Sequence, residues 1–389
     1  MLAEGLRQFA QGKRPQLGEL LLTPANARRV ADQLAQLRGA AMKVGQLLSM
    51  DAGDLLPPEL TLILARLRAE AQSMPMSQLV PVLNREWGSD WDRRFQRFSF
   101  TPLAAASIGQ VHAATCAGGE RLAIKVQYPG VRRSIDSDVD NVATLLRLSG
   151  LLPRGLDLAP LLAEAKAQLH AEADYRQEGA HLERYRALLA DSPDFLLPAL
   201  RADLTTENIL AMRFIEGLPV ESQATAPQAE RDRLAGLLFT LLFREIFDFR
   251  CVQTDPNFAN YLYDPASRRL ALLDFGATRS FATGLIDAYR RLLLAGQHSD
   301  RHGLAAAAAE IGYFRADIRP AHRDQVLDIF LTACEPLRHA GPYDFGRSDL
   351  ARRMRDAGLR LGRDRDVWHT PPVDAIFLHR KIGGLYLLA

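Results

Sequence analysis

The sequence predicts an α+β fold of two lobes, and three observations carry that expectation. Strand-like runs gather at residues 95–127 and 195–215, inside longer stretches whose apolar residues recur at helical spacing. The second of these runs ends in Glu216-Gly217-Leu218-Pro219, the break expected of a hinge between lobes. The third observation is the stretch Gln253-Thr254-Asp255-Pro256-Asn257-Phe258-Ala259-Asn260, followed after a turn by Leu272-Leu273-Asp274-Phe275-Gly276. It puts an Asp, an Asn five positions later and a second Asp at the end of an apolar strand.

Size and composition allow this. The chain has 389 residues, of which 48% are hydrophobic and 24% charged, as in ordinary globular proteins. A net charge of +2 gives no reason to expect nucleic acid as a partner. Cys116, Cys251 and Cys334 are far apart and show no metal spacing, which fits free thiols in a reducing compartment. The first residues lack a signal-peptide core, and no uninterrupted apolar run reaches the roughly 18 residues of a spanning helix. Residues 375–389 come nearest, but His379, Arg380 and Lys381 interrupt them, so they read as a core-packing helix.

In chain order, residues 1–94 read as a helical N-terminal extension. A helix starts at Thr23-Pro24, with Val30, Leu34, Leu37, Ala41, Val44 and Leu48 at helical spacing. It carries Lys43-Val44-Gly45-Gln46, with Lys43 and Gln46 on one face. That pair is either solvated or presented to a partner through the small residues around it. Further helices follow at about 59–73 and 77–87.

Residues 95–215 read as the N-lobe with a helical insertion. A strand at 95–100 leads to the turn Ala104-Ala105-Ala106-Ser107, then a strand through Gly109-Gln110-Val111-His112, a turn at Gly118-Gly119, and the strand 121–127. Lys125 stands inside the last apolar run, so it must meet an anion or reach solvent. Helices are expected at 131–150 and 158–188. The second holds Glu172, Asp174 and Glu178; Glu172 and Glu178, six apart, face different partners. Gly179 after Glu178 hints at close packing. Strands at 195–202 and 208–215 complete the lobe; Met212 and Phe214 near its end are candidates to meet an adenine. Residues 216–389 form the C-lobe, with a helix at 228–247 and helices from Phe281 onward, broken near 298–301, 317–320 and 340–343.

These residues form a recognisable chemical set. A protein-kinase-like fold uses a strand Lys paired with a helix Glu to hold phosphates. It uses an Asp to face the attacking group, and an Asn with a second Asp to supply hard oxygen ligands to magnesium. As an ordered set, Lys43 to Gln46, Ala104 to His112, Ala123-Ile124-Lys125, Glu172 to Glu178, Gln253 to Asn260 and Asp274-Phe275-Gly276 resemble the UbiB/ADCK (AarF-like) family of atypical kinase-like proteins. The resemblance covers about residues 30–389, and the Gln253–Asn257 form looks most like the coenzyme Q-associated branch. Departures are His181 and Gly179, where members often have Asn and Ala.

The resemblance implies ATP or ADP with Mg2+, and a role in ubiquinone biosynthesis or related isoprenoid-lipid chemistry. It gives Lys125 the phosphates, Glu178 the orientation of Lys125, and Asp255 the catalytic-base position. Asn260 and Asp274 would bind the metal, with Ala104, Ala105, Ala106, Ser107, Met212 and Phe214 around the nucleotide. Lys43, Gln46, Glu172 and Asp174 would form a lid over the nucleotide. The expected partners are an adenine nucleotide, a quinone precursor or isoprenoid lipid, the inner face of a membrane approached from the cytoplasm, and a second copy in a homodimer. Alanines in place of a glycine loop stiffen the backbone over the phosphates and predict altered nucleotide preference. Thr254 before Asp255 removes the phosphate-sensing arginine of activation-loop kinases, and no Ala-Pro-Glu platform follows Gly276. An ATPase or a small-molecule or lipid kinase therefore fits better than a protein kinase. A nucleotide-binding pseudoenzyme acting as a lipid or complex chaperone, and a helical scaffold unrelated to nucleotides, are the alternatives.

Overall fold

The computed structural model describes residues 74–106, 108–149, 159–314, 318–363 and 372–388. The expected helices before residue 74, with Lys43 and Gln46, and Ser107 of the alanine turn lie outside these residues. The chain divides into two compact units. One contains the described residues up to Gly179 together with Ala199–Phe214; the other contains Ala180–Pro198 and Ile215 onward.

The first unit begins with α1 (Met76–Trp87), which lays Leu79, Val82, Leu83 and Trp87 on a sheet. That sheet contains β1 (Phe95–Phe98), β2 (Ala104–Ala105), β3 (Gly109–Cys116) and β4 (Arg121–Gln127). The period of two in β4 sends Leu122, Ile124 and Val126 into the α1 core and Lys125 to the opposite face. Trp87, Trp91, Phe95 and Phe98 pack edge to face and tilted, 5–6 Å apart, and Trp87 donates to the Leu204 carbonyl at 2.9 Å.

The alanine segment does more than turn. Ala104 and Ala105 pair with Val111 and Gln110 as a short strand, and the Ala106 amide donates to Gly109 at 2.8 Å. Helices α2 (Val131–Ser149) and α3 (Ala159–Glu172) follow. The single helix expected over 158–188 is in fact two, because Ala173-Asp174 interrupts it before α4 (Tyr175–Leu188). The Asp174 carboxylate accepts from the Arg176 amide at 3.0 Å and so starts a new helix. Glu172 and Glu178 thus belong to different helices, and not to two faces of one.

The boundary between the units falls within α4, after Gly179. A β-carbon on Gly179 would lie 3.2 Å from Leu200, which bears out close packing there. Strand β5 (Phe195–Leu196) belongs to the second unit, and β6 (Ile209–Arg213) closes the first unit's sheet beside β4, in the order β1-β3-β4-β6. The expected strand over 195–202 is therefore short, with only a bridge from Leu200 to Met212 beyond it.

In the second unit, β7 (Leu218–Pro219) leads to α5 (Gln228–Phe243). The expected helix to Phe247 instead widens into a π-helical turn, Arg244–Phe249, and Arg250 takes a left-handed conformation with φ 49°. Strand β8 (Cys251–Gln253) then leads to the candidate site, β9 (Tyr261–Asp264) pairs with β10 (Arg269–Leu272), and β11 (Thr278–Ser280) returns to β8. The strand order in the larger sheet is β5-β10-β9-β7. The rest is helical: α6 (Thr283–Gln297), α7 (Arg301–Ile311), α8 (Pro320–Ala333), the short α9 (Glu335–Arg338), α10 (Leu350–Arg363) and α11 (Val373–Leu388). Helix α11 buries Ala375, Ile376, Phe377, Leu378 and Leu385, as expected of a core-packing helix. Among the described residues no helix is long and apolar enough to cross a membrane.

Candidate functional site

Within the first unit, Lys125 is buried on the β4 face away from the α1 core, where its ammonium donates to both Glu178 oxygens at 3.0 Å. Glu178 is 2% exposed, so this is a dry, bidentate ion pair. The Tyr175 ring lies 5.1 Å from the Lys125 nitrogen, one turn before Glu178. The start of α4 is fastened on two sides. The Tyr175 amide donates to Glu207 at 3.1 Å, and Gln127 on β4 donates to the Ala173 carbonyl at 2.7 Å. Position and pairing are thus set by the strand period and by the new helix start at Asp174.

The alanine segment lies beside this strand pair in sequence, and Ala104 and Ala105 are exposed. Gln110 and His112, on one face of β3, are fully buried. A neutral imidazole accounts for the contacts: Nδ1–H donates to the Ser99 carbonyl at 2.8 Å, and Nε2 accepts from Gln110 at 2.8 Å. Burial lowers the His112 pKa, in keeping with that form. Gln110 then accepts from the Met74 amide at 2.8 Å. Of the two adenine candidates, Met212 sits mid-sheet opposite Ala123. The Phe214 amide is taken by the Arg121 carbonyl at 2.9 Å, and its ring carries the Arg121 guanidinium at 4.4 Å. Glu172 and Asp174 flank the break between α3 and α4.

Within the second unit the two acidic segments are stitched together by backbone. Thr254 donates twice to the Ala277 carbonyl, from its amide at 3.1 Å and its hydroxyl at 2.8 Å. Gln253 holds the Asp255 amide at 3.1 Å, and the Asn260 side chain donates to the Asp255 carbonyl at 3.2 Å. The Asn260 carbonyl accepts from Leu273, next to Asp274, at 3.0 Å. With its amide nitrogen so engaged, Asn260 keeps its side-chain oxygen as a hard ligand atom. Asp274 accepts from the Gly276 amide at 3.0 Å, a turn that sends Phe275 into the core against Tyr185, with ring centroids 4.9 Å apart. One carboxylate and one amide oxygen are hard donors of the kind magnesium would take alongside nucleotide phosphates and water. Among the described residues no group of three His, Cys, Asp or Glu is disposed to hold a metal unaided.

The resemblance includes a counterpart of His379-Arg380-Lys381, but sequence reasoning gave these residues no role and did not single out Glu245 beneath the loop. Glu245, in the π-helical turn, accepts from Tyr185 at 2.7 Å and from the Gln253 amide at 3.1 Å. Lys381 of α11 lies 3.3 Å from the other Glu245 oxygen and donates to the Tyr261 hydroxyl at 3.1 Å. Burial alone would lower the Lys381 pKa, but the Glu245 carboxylate and Tyr261 outweigh it and hold the ammonium above its ordinary range. Arg380 makes an ion pair with Asp255. His379 packs flat on Tyr313 and bonds its hydroxyl, and burial there lowers its pKa to about 4. The signal was present in the sequence: three titratable residues in an apolar helix must each find a partner.

The description "ABC1 atypical kinase-like domain" matches residues 66–308. Over 99% of this chain and 77% of its own length, the mitochondrial atypical kinase COQ8 of Saccharomyces cerevisiae is 38% identical. The mitochondrial atypical kinase COQ8B of Rattus norvegicus is also 38% identical, over 94% of this chain and 69% of its own. Among solved structures, Rv3197 of Mycobacterium tuberculosis, in complex with erythromycin, shares the fold with a TM-score of 0.61 at 24% identity, covering 95% of this chain and 92% of that one.

Proposed function

The chain belongs to the ABC1 atypical kinase-like family, and from that premise we propose that it is a magnesium-dependent ATPase or small-molecule or lipid kinase supporting ubiquinone biosynthesis. Similarity along almost the whole chain to the COQ8 proteins, with the Gln253–Asn257 form, supports the pathway. The observation that carries the chemistry is the tie of Asn260 to both the Asp255 carbonyl and the amide preceding Asp274. In this reading Lys125, oriented by Glu178, holds phosphate oxygens, while Asn260 and Asp274 hold Mg2+. The metal would supply charge neutralisation at the phosphates. Asp255 orients the attacking hydroxyl or water and takes its proton. The alanine segment covers the phosphates, and Lys43 and Gln46 with Glu172 and Asp174 form the lid that keeps polypeptides out. A peripheral membrane contact and a homodimer belong to the same proposal.

The test is phosphate release from ATP by pure protein, alone and with a phenol of quinone-precursor type and vesicles containing anionic lipid. Magnesium-dependent turnover that falls at least tenfold in Asp274→Asn is expected. Equal rates in wild type and variant would contradict catalysis and leave a protein whose nucleotide binding alone matters.

A further inference from the structure

Helix α11 approaches the Asp255 loop at two places. Arg380 donates to Asp255 Oδ1, and Gly384 lets the Pro256 ring come so near that a β-carbon there would lie 2.3 Å from Pro256 Cγ. The same helix takes hold of the segment after Asp274-Phe275-Gly276. Asp374 accepts from Arg279 at 3.0 Å, and the Arg279 guanidinium lies 4.4 Å over the Phe377 ring. Three consecutive side chains of α11 thus go to different partners: His379 to Tyr313, Arg380 to Asp255, and Lys381 to Glu245 and Tyr261. A helix that only filled the core would have no need to bury a guanidinium with a side-chain exposure of 11%.

We propose that Arg380 is a positioning residue for the phosphoryl-transfer step, which makes the C-terminal helix part of the catalytic apparatus. The inference rests on the role assigned above to Asp255. A carboxylate on a loop turns about two side-chain bonds, and a hydroxyl or water activated by it must find one oxygen in a fixed place. Arg380 takes Oδ1 and stops that rotation, so Oδ2 is the oxygen offered to the acceptor. Within the loop, Gln253 Oε1 and Asn260 Nδ2 bond the Asp255 backbone amide and carbonyl, not its carboxylate. The contact is made by one guanidinium nitrogen to one carboxylate oxygen, and a lysine ammonium could replace it only in part, because its point charge lacks the fixed direction of a guanidinium N–H.

The experiment compares full-length wild type, Arg380→Gln, Arg380→Lys, Asp255→Asn and the double variant Arg380→Gln/Asp255→Asn. ATP turnover, Mg·ADP affinity and amide hydrogen exchange over residues 253–260 are measured for each. Arg380→Gln is expected to keep Mg·ADP affinity within about twofold and to lower kcat at least tenfold with KM for ATP little changed. Arg380→Lys should recover part of that loss. The double variant should be no slower than Asp255→Asn alone, because Arg380 acts only through Asp255. A kcat for Arg380→Gln within twofold of wild type, or losses that multiply in the double variant, overturns the proposal. Should wild type show no turnover, the enzymatic reading fails by itself, and exchange then judges the hold on the loop. Faster exchange at 253–260 in Arg380→Gln sustains it, and unchanged exchange overturns it.

Discussion

The Lys125–Glu178 pair shows what can be read from one residue in a pattern. A lysine in an apolar strand had to meet an anion or reach solvent; it meets Glu178 in a buried, two-pronged contact. An apolar run marked the strand, and the period of two in β4 sets the face on which Lys125 stands. The sequence also marked Glu178, though not the helix that holds it, because Asp174 starts α4 through a local side-chain bond that periodicity does not register. Buried ion pairs add little over apolar packing, but loss of one partner strands the other charge. Glu178→Ala should therefore lower unfolding free energy by roughly 3 kcal/mol, measured by urea denaturation at neutral pH. A loss below about 1 kcal/mol would mean that Lys125 finds another anion or solvent at small cost.

Among the elements, the strands were the most legible and the π-helical turn the least. An aromatic-rich run, a small-residue turn and an apolar run on either side of Gly118-Gly119 located β1, β3 and β4. Nothing in Leu241-Leu242-Phe243-Arg244-Glu245-Ile246 distinguishes a widened turn from a continuing helix. The widening accompanies Glu245 reaching the Gln253 amide and Tyr185, long-range partners that a local pattern does not contain. Helix α11 was recognised as core, yet its three titratable residues were read as an interruption; Arg380 is its link to the Asp255 loop, while His379 goes to Tyr313 and Lys381 to Glu245 and Tyr261. The contact of Gly384 with Pro256 carries a prediction for this element. The proline ring is closed and cannot fold away, so Gly384→Ala must push α11 or the loop aside. A cost of about 1–3 kcal/mol is expected, seen as a lower thermal midpoint. An unchanged or raised midpoint would show that the helix gives way freely.

For the molecule as a whole, the α+β class and the kinase-like family were legible because the motif residues recur as an ordered set, from Lys125 and Glu178 to Asp255, Asn260 and Asp274. The partition was less so. The break after Phe214 is where the expected hinge begins, but Ala180–Pro198 joins the second unit although it lies amid residues of the first. Sequence order is a poor guide when a helix runs from one unit to the other. In the proposed function these separated residues serve one magnesium-bound nucleotide. The most direct measurement is calorimetric titration of the purified chain with ADP and with ATP, in magnesium and in chelator, for wild type, Lys125→Ala and Asp274→Asn. Saturable binding in magnesium that weakens at least tenfold in chelator and in each variant is expected. No binding by wild type, or equal affinity in all of these conditions, would contradict it.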